Sequence, residues 1–148
     1  MNDRKRSVAI WLVLLLSVAM LSTLVACGDK EPAATTVKND PSTTFTYTDD
    51  KEGLDWPKDK MGGLPELDAT IQAAVDSGNG YVISFVELSK QDAEDYVKDL
   101  KKEGFEASLD STTSDAIMFY GTNDDDALVM FVYDVAGETG TLTYAEEG

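Results

Sequence analysis

The chain has no histidine, two arginines and a single cysteine. Each shortage removes a class of chemistry. Without His there is no Ser-His-Asp triad and no His-ligated zinc. Both arginines, Arg4 and Arg6, fall in the first six residues, so the rest of the chain has no guanidinium to clamp a phosphate. One thiol, Cys27, allows neither an intrachain disulfide nor a Cys-based metal cluster. Positive charge is also scarce, with 12 Lys and Arg against 28 Asp and Glu and a net charge of −16. Such a field repels phosphate backbones and excludes nucleic acid as a partner.

What is present begins with Arg4, Lys5 and Arg6, followed by residues 7–26, which carry no charge. A basic start, an apolar run and small residues at its end form a secretory leader. About 20 apolar residues are also long enough to cross a bilayer as a helix. The ending separates the two readings. Leu24-Val25-Ala26-Cys27 resembles the lipobox of bacterial lipoproteins. The resemblance implies cleavage before Cys27 and a diacylglyceryl group on its sulfur. Two acyl chains meet the requirement for stable anchoring. The expected localisation is therefore the extracytoplasmic face of the cell membrane, held by lipid on Cys27.

Loss of residues 1–26 removes Arg4, Lys5, Arg6 and Asp3, leaving nine Lys against 27 acids and a net charge near −18. A domain so acidic stands off anionic headgroups. Residues 27–44 are read as the lipidated Cys and a flexible tether, because Thr, Ala, Pro and charge dominate and Val37 is the one large apolar side chain. Residues 45–148 are then a single acidic domain, long enough for one core and too short for two.

Within it, residues 49–66 read as an approach loop, in which Trp56-Pro57 and Leu64-Pro65 each favour extended backbone. Trp56 suits ligand stacking or, as such a Trp more often does, plugging the end of a small core. Strands are expected at 69–75 and 81–88, joined by the turn Asp76–Gly80. Residues 89–104 read as a helix with Ser89 as N-cap and Gly104 beyond its end. Ala93, Tyr96, Val97 and Leu100 form its apolar stripe. Further strands are expected at 105–109, 116–120, 127–133 and 141–144. The runs at 117–119 and 128–132 are apolar on both faces, as in strands that are central or covered on the second face, with Trp56 and the approach loop as candidates for that cover. The fold class is α+β: a mostly antiparallel twisted sheet with one helix on a face, in the order β-β-α-β-β-β-β.

No catalytic, cofactor-binding or metal-binding constellation stands out. Asn123-Asp124-Asp125-Asp126 is the sharpest acidic cluster, but it lacks the alternating acids, the glycine and the distant Glu of an EF-hand loop. It reads first as a solvated turn. The glycine pairs lack the lysine and helix of a phosphate loop.

Trp56-Pro57, Leu64-Pro65, Ile71, Tyr81-Val82, Ser89, Tyr96-Val97, Leu100, Gly104-Phe105 and Tyr120 resemble the pattern of small lipoproteins of Firmicutes-type bacteria whose C-terminal domain has no assigned function. Two departures stand out. Asp59-Lys60-Met61 replaces a Ser/Gly-rich stretch, and Leu67 stands where the pattern has a second proline. The resemblance implies the anchor and an α+β domain and carries over no site residue. The expected function is a non-enzymatic, membrane-anchored module that binds a protein, peptide or envelope component. The alternatives are an envelope hydrolase using carboxylates or a Ser–Lys pair and, below it, a divalent-cation binder.

Overall fold

The computed structural model describes residues 34–40 and 43–146. Residues 7–26, Cys27 and residues 28–33 of the expected tether lie outside them. Among the described residues no helix is long and apolar enough to cross a membrane.

Eight strands form one sheet: β1 (Thr35–Asp40), β2 (Thr43–Tyr47), β3 (Thr70–Asp76), β4 (Gly80–Val86), β5 (Glu106–Thr112), β6 (Ala116–Thr122), β7 (Leu128–Asp134) and β8 (Thr139–Ala145). A helix, α1 (Lys90–Lys102), lies between β4 and β5, and Lys58–Lys60 makes a single 3₁₀ turn. The α+β class and the predicted β-β-α-β-β-β-β order hold from β3 to β8. Two strands precede them. The sheet order is β1-β2-β3-β4-β8-β7-β6-β5, and every neighbouring pair is antiparallel.

The extra pair changes the reading of the tether. Residues 35–40 are strand β1, and the expected domain start at residue 45 falls inside β2. Threonine explains the difference. Thr35, Thr36, Thr43, Thr44 and Thr46 look like linker composition, yet β-branched residues favour extended backbone. Pairing with β3 at Phe45↔Val75 then gives the hairpin an edge to grow from.

The helix forms where its signals place it. Ser89 Oγ accepts from the Asp92 backbone N–H at 3.2 Å, satisfying one of the free donors of the first turn. At the other end Gly104 takes φ +92°. The Phe105 N–H then reaches the Leu100 carbonyl at 3.2 Å and the Gly104 N–H reaches Lys101 at 3.3 Å, a Schellman closure. Ala93, Tyr96, Val97 and Leu100 are all buried.

One face of the sheet carries the core: Ile83 and Phe85, Ile117 and Phe119, Val129, Phe131 and Tyr133, and Leu142 are essentially inaccessible. Each such side chain contributes about 1.5–3 kcal/mol by leaving water. Phe131 is central, with ring centroids of Tyr96 at 5.4 Å, Phe85 at 5.7 Å and Tyr133 at 6.5 Å. The buried Tyr133 hydroxyl donates to the Leu88 carbonyl at 2.6 Å, so the core keeps no orphaned phenol.

The approach loop covers this same face beside the helix, not the opposite one. Its Met61 and Leu64, with Leu67 just beyond it, are buried in the same cluster, and the Tyr96 hydroxyl donates to the Pro65 carbonyl at 3.1 Å. The second cover expected over the strands is therefore not supplied by this loop. On that second face the registers align one row across all eight strands. Val37, Phe45 and Val75 lie on β1–β3, Val82 and Thr143 on the central pair, and Met130, Tyr120 and Leu109 on β7, β6 and β5. A neighbouring row holds Tyr47, Ala73, Ser84, Thr141, Val132 and Met118. None of these side chains is buried, and Met118 and Met130 stand 39% and 37% exposed.

Candidate functional site

At one end of the sheet the approach loop, the β3–β4 turn and the end of β8 enclose a cleft of about 270 Å³. Lys60 and Gly62 come from the loop, Asp76 from the end of β3, Asn79 from the turn, Tyr81 from β4, and Tyr144 and Glu146 from β8 and beyond. The pairing Tyr81↔Tyr144 sets the two phenols on adjacent strands.

Gly62 allows the loop to close on this wall. Its φ is +54°, and a Cβ there would fall 1.9 Å from the Tyr144 ring, so only a glycine lets backbone and phenol meet. The Tyr144 hydroxyl donates to Glu146 Oε1 at 2.8 Å. Burial first, then that carboxylate, push the Tyr144 phenol up to about 12.

Lys60 Nζ lies 2.9 Å from Asp76 Oδ2, and Asp76 Oδ1 also accepts from the Gly78 N–H at 2.9 Å. The Lys60 hydrogen bond, then the backbone one, hold the Asp76 carboxyl below its usual value. The Asp76 hydrogen bond in turn holds Lys60 above its own. Tyr81 is raised, first by burial and then by the Asp76 charge.

These shifts move each group away from neutrality, whereas a general acid or base works best with a pKa near the operating pH. Beside the cleft, Ser77 Oγ donates to the Gly80 carbonyl at 2.9 Å. What the cleft offers is a fixed set of donors and acceptors between two phenol rings. A second hollow of about 410 Å³ adjoins it through Asn79 and Glu146 and reaches Tyr120, Thr122 and Leu128, side chains of the open face.

The residues singled out from sequence fall elsewhere. Cys27 lies outside the described residues. Trp56 is half-buried at the margin of the core and, with Lys58, Gly63, Leu64 and Glu66, lines a shallow depression of about 280 Å³. In the acidic turn Asn123 Oδ1 accepts from the backbone N–H groups of Asp125 at 3.1 Å and Ala127 at 2.9 Å. Its polarity thus serves its own backbone, and Asp126 lines the hollow of about 410 Å³. Among the described residues no group of three or more His, Cys, Asp or Glu is gathered to hold a metal.

Lys60, Asp76, Tyr81, Tyr144 and Glu146 were not read as site residues, because nothing in their local sequence points to binding. The available signal was geometric. Asp76 opens a turn, and Tyr81 and Tyr144 sit near strand ends.

The chain matches no family model, no curated protein and no solved structure.

Proposed function

We propose that this protein is a lipoprotein held at the extracytoplasmic face of the cell membrane through Cys27, and that its α+β domain is a non-enzymatic binding module. Its ligand is an envelope component, a peptide or a protein that presents hydrogen-bonding groups to the end cleft. The observation carrying this reading is the state of the cleft's ionisable groups. Lys60 and Asp76 neutralise each other at 2.9 Å, and the Tyr144 phenol is held by Glu146. Groups so paired stay in one charge state around neutral pH, which favours recognition over proton transfer. The anchor rests on the basic start, the uncharged run and Leu24-Val25-Ala26-Cys27.

The test uses the full chain as bait in detergent-solubilised envelope, beside a Lys60→Ala/Tyr81→Ala variant. A component retained by the parent and lost by the variant is the expected result. Recovery by the parent of nothing above control overturns the reading. For the anchor, Cys27→Ala is expected to abolish lipid labelling and leave the membrane fraction. A variant still processed and lipid-labelled excludes the assignment.

A further inference from the structure

The two central rows of the sheet's open face are uncharged in a chain that is 27% charged residues with a net charge of −16. Neither of the two rows aligned across it holds an acid or a lysine. Charge lies at the margins, at Glu106 and Asp134 in flanking rows, at Asp49, which accepts from the Tyr47 hydroxyl, and at Asp126 and Glu146 beside Tyr120. Side chains of this kind lie half-accessible where water alone would favour Lys, Glu and Asp. An antiparallel sheet with one solvated face normally alternates apolar-in with polar-out. β6 and β7 break that pattern at Met118, Tyr120, Met130 and Val132.

We propose that this face packs against the same face of a second copy of the chain, sheet on sheet, about a two-fold axis along the central β4–β8 pair. Charge selects the occupant. A different protein recruited to so acidic a chain would be held by basic groups set against its carboxylates, and these rows offer none. The face that needs no charge complement is another uncharged face, and a two-fold interface supplies it from the same sequence.

Area is sufficient. Seven strand spacings of about 4.8 Å by strands about 20 Å long give a footprint of about 670 Å² per copy. Two copies bury about 1,300 Å², within the range of stable protein interfaces.

The strand order also matches halves. The axis lays β7 over β3, β6 over β2 and β5 over β1 of the second copy. Met130 then faces Val75, Tyr120 faces Phe45 and Leu109 faces Val37. Apolar and aromatic side chains thus meet across the roughly 10 Å gap of aligned sheets.

The experiment is sedimentation equilibrium of the full chain in density-matched detergent, where the micelle adds no apparent mass. The expected result is a two-chain mass that tightens as salt screens the repulsion between acidic copies. Met130→Lys and Val75→Asp each bury an unpaired charge and weaken association roughly 100-fold. Both positions are accessible in one copy, so circular dichroism is expected to be unchanged. Within a copy they sit three strand spacings apart, about 14 Å, so the double variant restores the dimer only by pairing across the interface. Lys98→Ala, on the helix, leaves the mass unchanged. A one-chain parent at the highest concentration reached overturns the proposal. So does a dimer indifferent to Met130→Lys, or a one-chain parent that binds uncharged phosphatidylcholine vesicles, which assigns the face to lipid.

Discussion

Two glycines show how the same residue type acts through different physics. Gly140 is read from sequence as part of the turn after β7, but it lies inside β8, where a Cβ would fall 2.4 Å from the Val132 carbonyl and 2.5 Å from the Phe85 ring. Its absent side chain is the space Phe85 occupies while stacking on Phe131. Gly104 has nothing within 4 Å of a Cβ but holds φ +92°. Gly140→Ala is therefore expected to cost about 1–3 kcal/mol by overpacking. Gly104→Ala costs about 1 kcal/mol through backbone strain alone. Urea unfolding of the two variants measures both, and a Gly140→Ala loss no larger than that of Gly104→Ala excludes the packing account. The helix-ending role of Gly104 was legible because a C′ glycine has a local signature. The role of Gly140 was not, since the ring it admits lies on another strand.

Among the elements, α1 was the most legible, because its caps, charge gradient and apolar stripe all fall within sixteen consecutive residues, from Ser89 to Gly104. Ser89→Ala removes the acceptor for the Asp92 N–H and its partnership with the Asp92 carboxylate. The expected loss is about 1 kcal/mol, seen as a lower urea midpoint with an unchanged slope. Ser89→Asp should retain most of that stability. The β1–β2 hairpin was the least legible. A composition reading asks whether a segment can bury a core of its own, and residues 35–47 do not. They instead add two strands to an existing edge, of which the alternation Phe45-Thr46-Tyr47 hints at the end of β2 alone. The approach loop was recognised as ordered, yet its face was misjudged. Trp56 and residues 49–66 read as candidates for a second cover, whereas Met61 and Leu64 close the core beside α1 and Trp56 packs at its margin.

At the scale of the whole molecule, the Lys60–Asp76 pair ties the approach loop to the end of β3. Asp76 is held below its ordinary value of 3.8. Its contribution to stability is thus complete above that value and lost as pH falls through the lowered one. Lys60 is held above its ordinary 10.5, so its share is complete below that value and fades as pH rises through the raised one. Between these limits Asp76→Asn is expected to be less stable than the parent by a constant margin that closes below about pH 4. Thermal unfolding of both proteins from pH 2 to 8 measures it, and a margin that persists at pH 2 rules out the ion pair as its source. The cleft was not legible because it joins residues 58–62, 76–81 and 144–146: the β4–β8 pairing brings the last two together, and the Lys60–Asp76 pair and Gly62 against Tyr144 add the first. The β4–β8 pairing has a consequence in time as well as in space. β8 is hydrogen-bonded to β4 on one side and β7 on the other, and it alone joins the two halves of the sheet. Residues 139–145 leave the ribosome after every other strand. Until then β4 and β7 each present an unsatisfied edge, and the long-range contacts that would repay the entropy of loop closure are missing. Folding is thereby deferred until the whole domain has been made, a delay that the export proposed above requires.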